Sequence, residues 1–150
     1  MNGRGALVLI AGVALTACGS PYPGSTLGAQ VQSWVHTTGF SASLRTLRGD
    51  GTHVRELMAG HDVKALRTDC DALVDDALGA NQNLPTPDTT LSTILAHAYS
   101  SAAAAGRDCL AGAGGSAGPL ARAVTELAAA DSGYIKAEAR IDDLDISGAR

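Results

Sequence analysis

Apolar residues recur at helical spacing along most of the chain beyond residue 25. The first such stripe consists of Leu27, Val31, Trp34 and Val35, and Gly39 stands where a C-terminal cap would end the helix. No stretch alternates apolar and polar residues between hairpin turns, so the pattern predicts no sheet. The sequence therefore predicts an all-α fold, a small helical bundle of about four to five helices.

The segment after Gly39 predicts two short helical turns and not one helix. The run Gly49-Asp50-Gly51 interrupts the apolar pattern, and Thr52 would cap the second turn. The apolar positions of the two turns are Leu44 and Leu47, then Val54, Leu57 and Met58.

Two longer helices are predicted over residues 62–80 and 88–107, and each opens on an aspartate. Their apolar stripes are Val63, Leu66, Cys70, Leu73, Val74, Ala77 and Leu78, then Leu91, Ile94, Leu95, Ala98, Tyr99, Ala102 and Ala105. Residues 81–87 lie between them and include Pro85 and Pro87, which favour extended backbone at and before each ring. We therefore expect an extended riser between the two helices and not a tight turn.

Glycines break the pattern in the last third of the chain. Gly106 interrupts the preceding helix, and the glycine-rich stretch 112–118 predicts a flexible link. Pro119 suits the first turn of a last helix, within which Gly133 would be a weak point. Acidic residues near the end of that helix oppose its dipole and predict fraying. They are Asp142, Asp143 and Asp145.

The N-terminal segment has the organisation of a secretory signal. Arg4 precedes an apolar run over residues 6–15, and small residues follow it. The run is too short to cross a bilayer, which takes roughly 20 apolar residues. Leu15-Thr16-Ala17-Cys18 then resembles the lipobox of bacterial lipoproteins. The alternative is an ordinary secretory signal with an incidental cysteine.

The lipobox resemblance implies a domain organisation and a location. Residues 1–17 would be a lipoprotein signal peptide, and Cys18 would become the lipid-modified mature N-terminus. Residues 18–25 would form a flexible tether, and residues 26–150 the helical domain. The resemblance therefore implies a protein held by acyl chains at the outer, extracytoplasmic face of the cell membrane.

Composition and charge exclude several classes of protein. The net charge is −4 and charged residues make up 17% of the chain, which excludes a polybasic nucleic-acid-binding class. Aromatic residues are only 3%, so base-stacking platforms are also excluded. No nucleic-acid partner is expected.

Two cysteines remain once Cys18 is set aside. Cys70 and Cys109 form an even pair in an oxidising compartment, which predicts a disulfide between them. Their spacing fits neither a redox motif nor a zinc site, and the alternative is two buried free thiols.

No residue pattern predicts catalysis, a cofactor or a metal site. None of the four histidines lies four residues from another; they are His36, His53, His61 and His97. The densest group of carboxylates is interpreted as the solvated side of its helix and consists of Asp69, Asp71, Asp75 and Asp76. The glycines at 112–115 lack the lysine of a phosphate-binding loop. Trp34, Phe40 and Tyr99 would line an apolar pocket if the helices leave one between them.

A second resemblance rests on the mature part of the chain. The resemblance is carried by Trp34, Cys70, the run Leu84-Pro85-Thr86-Pro87-Asp88 and the alanine-rich segment 102–109. With these features, the mature part of the chain is similar to small actinobacterial exported helical proteins. That class implies location and fold, and no catalytic residue. We expect a lipid-anchored, non-enzymatic interaction module with an envelope protein partner. The alternative is a small carrier that binds an apolar ligand between its helices.

Overall fold

The computed structural model describes residues 25–60 and 62–148, and within them every element of regular structure is a helix. The predicted all-α bundle is therefore confirmed. The lipobox, Cys18 and His61 lie outside the described residues. The five helices are α1 (Leu27–Thr38), α2 (Phe40–Met58), α3 (Val63–Asn81), α4 (Thr89–Gly112) and α5 (Ala117–Gly148).

Helices α2 to α5 pack as an antiparallel bundle, and α1 packs against the far end of α5. Ion pairs Arg48–Glu138 and Arg55–Asp131 bring α5 back against α2 and close the bundle. The backbone of Gly28 in α1 approaches the carbonyl of Leu144 closely. The four helices α2 to α5 thus form one core, and α1 packs on one side of it.

The predicted starts of α3 and α4 and the predicted end of α1 are confirmed by their cap geometry. Asp62 accepts a hydrogen bond from the backbone N–H of Ala65, and Asp88 accepts one from Leu91. Gly39 ends α1 with φ 65°, a left-handed conformation that glycine adopts without a Cβ penalty.

The prediction of two short turns after Gly39 was wrong, because α2 is one continuous helix of 19 residues. Thr52 lies inside it, and its hydroxyl donates to the carbonyl of Arg48. Each glycine costs a helix about 1 kcal/mol, but the helix buries a continuous stripe that outweighs this cost. That stripe consists of Phe40, Leu44, Leu47, Gly51 and Val54.

The expected break at Gly106 was also wrong, since α4 runs through it to Gly112. A Cβ at Gly106 would lie 2.8 Å from the carbonyl oxygen of Cys70, so the absent side chain lets α3 approach α4. The glycine-rich link is shorter than predicted and spans residues 113–116. Helix α5 passes through Gly133, which packs against Ala98 in the same way.

The cysteine pair joins α3 to α4. Cys70 and Cys109 are bonded, with their Cα atoms 6.0 Å apart, and both are fully buried. Asn81 at the end of α3 lies beside Tyr99, so the first turns of α4 extend beyond α3 by about 15 Å. Residues 82–88, which we call the riser, cover this distance. The prediction of extended backbone throughout was wrong for the first part of the riser, because the N–H groups of Gln82, Asn83 and Leu84 bond back to carbonyls in the last turn of α3 and form turns.

Candidate functional site

A groove runs along the junction of α1, α2 and α5 and encloses about 500 Å³. Its floor is apolar and includes Val35, Phe40, Leu44 and Ile141. Phe40 and Leu44 are each only 5% exposed because they also belong to the bundle core. We call this feature, with its rim described next, the α1–α2–α5 groove.

The rim of the groove carries charged and polar side chains. Arg48 donates two hydrogen bonds to the carboxylate of Glu138, at 3.0 and 2.8 Å. These bonds raise the pKa of Arg48 further above its usual value, so its guanidinium group stays charged. Arg45 is exposed and makes no ion pair within residues 25–60 and 62–148, while Asp142 lies across the groove.

Local sequence positions the α1 side of the groove. Gly39 reverses the chain between α1 and α2, which places Phe40 in contact with Trp34 at a ring-centroid distance of 5.4 Å. The indole N–H of Trp34 donates to the carbonyl of Asn83 at 3.0 Å and ties α1 to the riser. One face of α1 is therefore fixed, and the neighbouring face remains available to the groove.

The predicted aromatic pocket is only partly assembled. Trp34 and Phe40 do meet, and Phe40 lines the groove. Tyr99 lies elsewhere: it packs against Tyr134 with ring centroids 6.3 Å apart and borders a separate hollow of about 170 Å³. The open groove and the enclosed tyrosine pair are thus distinct features.

An acidic contact that the sequence did not predict joins α2 to α3. Asp50 lies on the inward side of α2, and its carboxyl group is within hydrogen-bonding reach of the Asp76 carboxyl group. Burial, then the contact with Asp76, raises the pKa of Asp50 from 3.8 to about 6. Asp71, Asp75 and Asp76 are exposed, as the solvated-face interpretation expects, whereas Asp69 is half-buried. Asp76 also contacts a second acid. We call Asp50 and Asp76 the acid pair.

The missed residue had a detectable signal. Asp50 lies three residues after Leu47 and four before Val54, both of which are buried. In a continuous helix this spacing puts Asp50 on the apolar stripe. Only the interpretation of Gly49 and Gly51 as a turn concealed it.

The two inner tyrosines are strongly shielded from solvent. Tyr134 is 2% exposed and Tyr99 3% exposed. Burial raises the pKa of Tyr99 to about 12, and it raises the pKa of Tyr134 still further. The hydroxyl of Tyr134 finds no hydrogen-bond partner among the described residues. Both groups are neutral at physiological pH.

The Pro-x-Pro-Asp segment has a structural role. Asp88 is 5% exposed and binds Arg140 of α5 through two hydrogen bonds, at 3.1 and 2.9 Å. The hydroxyl of Thr86 donates to the backbone carbonyl of Asp88 at 2.6 Å and accepts from its N–H at 3.2 Å. This segment therefore fastens the riser and the start of α4 to α5.

The remaining sequence candidates stay apart. His36, His53 and His97 are exposed, and His53 is close enough to Asp50 to favour its ionised form. No cluster of three or more metal-ligating side chains occurs within the described ranges 25–60 and 62–148. The glycine link caps α4, since the N–H groups of Gly115 and Ser116 donate to the carbonyl of Gly112.

Comparisons with known proteins add no relative to this description. Neither protein-family models, nor curated proteins, nor solved structures gave a match to the chain. In the part of the chain that the structure covers, no helix is both long and apolar enough to traverse a bilayer.

Proposed function

We propose that the chain is a lipid-anchored protein at the outer face of the cell membrane, and that its helical domain is a non-enzymatic interaction module. Anchoring is supported by the lipobox-like run that ends at Cys18. Two acyl chains on one cysteine suffice for durable attachment, whereas one chain is marginal.

The α1–α2–α5 groove is the observation that carries the interaction role. Its apolar floor accepts an apolar side chain, and Arg45 on the rim, which has no ion-pair partner among the described residues, favours a neighbouring carboxylate. Its other arginine, Arg48, is already satisfied by Glu138. The partner we propose is an envelope protein that presents an apolar residue next to an acidic one.

Membrane attachment is tested by replacing Cys18 with alanine. We expect Cys18→Ala to lose partitioning into the detergent phase, whereas the matched variant Ser20→Ala keeps it. Mass spectrometry of the wild type should find acyl chains on a polypeptide that begins at Cys18. A Cys18→Ala protein that still partitions with detergent would refute the anchor.

The groove is tested by site-specific photo-crosslinking in the native membrane. A crosslinker at Ser41, on the groove, should give one discrete adduct with an envelope protein, and Arg45→Glu should abolish it. A crosslinker at Thr93, an exposed position on α4, is the control. Equal adducts from both positions, or none from Ser41, would contradict the groove as the interaction surface.

The carrier role is a second candidate because of the size of the groove. About 500 Å³ lies within the range of small-molecule sites, which is roughly 300–1,000 Å³. Native mass spectrometry of the extracted protein would then detect a stoichiometric small molecule. Ser41→Trp, which fills the groove, should remove that molecule; a wild type that carries none excludes the carrier.

A further inference from the structure

The contact between α2 and α3 is acidic on both sides. Asp76 of α3 lies beside Ala42, Ser43 and Thr46 of α2, at a shallow hollow of about 220 Å³. Asp50 follows Thr46 by one helical turn and reaches the carboxyl group of Asp76. Two carboxyl groups thus meet where α2 packs against α3: Asp50 is half-buried there, and Asp76 lies at the exposed edge of the contact.

The buried end of this contact has an unsatisfied atom. The Oδ2 atom of Asp50 is inaccessible to solvent and accepts no hydrogen bond from a donor in residues 25–60 or 62–148. Two carboxylates cannot donate to each other, so the pair forms a hydrogen bond only if one of them is protonated. A fully ionised pair would leave a buried charge without a donor, next to a like charge.

The surroundings of Asp50 offer little compensating positive charge. On α2 itself, His53 is the nearby base and is exposed to solvent. On α3, Asp69 and Asp76 are both acidic, and on α5 the buried, neutral Tyr134 faces Asp50. Among the described residues, α1 and α4 contribute no charged group to the contacts of Asp50.

We propose that the acid pair shares one proton and forms a pH-sensitive fastening between α2 and α3, which holds while one carboxyl is protonated and weakens when both are ionised. The proton sits between the two carboxyl oxygens as an O–H···O⁻ hydrogen bond. Its loss to solvent replaces that bond by repulsion. This property is independent of the proposed groove function.

The direction of the pH effect follows from the pKa of Asp50. That pKa is raised from 3.8 to about 6, so the folded protein binds this proton about 100-fold more tightly than an unfolded chain does. The stabilisation is therefore fully present below pH 3.8 and is lost as the pH rises through about 6. A carboxylate that is paired with a cation acts in the opposite direction, since its contribution to stability is lost as the pH falls.

The first experiment is urea unfolding of the full chain at about pH 5 and about pH 7.5, on either side of the pKa of Asp50. The wild type should resist urea better at the lower pH. Asp50→Asn should lose this difference and gain resistance at the higher pH, because an amide can donate to the Asp76 carboxylate. Asp71→Asn, an exposed site on α3, should keep the wild-type behaviour. The same pH difference in Asp50→Asn would overturn the proposal.

A second measurement separates this role from a general effect on packing. Carboxyl-carbon NMR should show Asp50 titrating near pH 6 in the wild type. In Asp76→Asn, whose amide donates to the ionised form, the midpoint should fall by at least about one pH unit. An Asp50 midpoint near 4 in the wild type, or an unchanged midpoint in Asp76→Asn, would refute the shared proton.

Discussion

Asp88 combines two tasks at a single buried carboxylate. It caps α4 by accepting a hydrogen bond from the N–H of Leu91, and it binds the guanidinium group of Arg140 on α5. The hydrogen bonds from Arg140 hold the pKa of Asp88 below its usual value. One side chain therefore fixes both where α4 begins and where α5 lies against it.

This double role predicts that Asp88 matters more than an ordinary cap. We expect Asp88→Ala to lower the free energy of unfolding by about 3 kcal/mol, since a cap and a charge-assisted pair are lost together. Asp62→Ala, which removes the exposed cap of α3, should cost about 1 kcal/mol. Urea unfolding at neutral pH measures both values, and equal losses would contradict the role of Arg140.

Acid should reduce the difference between Asp88→Ala and the wild type. The pKa of Asp88 is lowered from 3.8, so its contribution is complete above that pH and is lost as the pH falls below it. The acid pair stabilises the folded protein increasingly as the pH falls through about 6. The two contributions together should place the stability maximum of the protein on the acidic side of neutrality.

At the scale of the helices, the close packing of α3 against α4 depends on one small residue. Gly106 faces the Cys70 carbonyl and the side chain of Val74. Glycine is unfavourable inside a helix by about 1 kcal/mol relative to alanine, yet here a methyl group has no space. Tertiary packing therefore outweighs helix propensity at this position.

Gly106→Ala should destabilise the protein although alanine favours helix. A Cβ there would lie 2.5 Å from a Val74 methyl carbon and 2.8 Å from the Cys70 oxygen, so α3 and α4 must separate at a cost of about 1–3 kcal/mol. Gly79→Ala on exposed α3 surface, where no atom lies within 4 Å, should instead stabilise by about 0.5–1 kcal/mol. Thermal unfolding distinguishes the two; a stabilised Gly106→Ala would refute the packing argument.

The disulfide contributes to the stability of the whole molecule. It joins the middle of α3 to the end of α4 across a sequence separation of 39 residues. Alanine supplies ten of the 25 buried core residues that the structure describes, and it buries less apolar area per residue than leucine or phenylalanine. A covalent link between helices is therefore of particular value to this bundle.

Replacing both Cys70 and Cys109 with serine should lower the free energy of unfolding by about 3–4 kcal/mol in the chain-entropy model, with helix content retained. Circular dichroism followed during thermal unfolding provides both readouts. Reductant should destabilise the wild type and leave the double variant unchanged. A wild type that melts identically with and without reductant would argue against the bond.

Local chemistry explains which parts of the fold the sequence predicts. The starts of α3 and α4 follow from caps at Asp62 and Asp88, whose partners lie three residues away. The errors at Gly49–Asp50–Gly51 and Gly106 arise because the cost of a glycine is local, whereas the compensating contacts come from distant segments.

The candidate site was less predictable for the same reason. Phe40 and Trp34 were expected to line a pocket. The charged rim of the groove, however, depends on where α5 lies, because Arg48 on α2 pairs with Glu138 on α5, 90 residues later in the sequence. The acid pair likewise depends on the register between α2 and α3. Neither register is encoded by a local pattern.

Trp34 provides an intrinsic optical probe of one side of this molecule. It is the single tryptophan of the chain, and its indole N–H is bonded to the Asn83 carbonyl on the riser. Its fluorescence therefore responds to the detachment of α1, whereas the far-ultraviolet circular dichroism is dominated by the four bundle helices. Tryptophan emission that changes before helicity is lost would identify α1 as the first part of the domain to open.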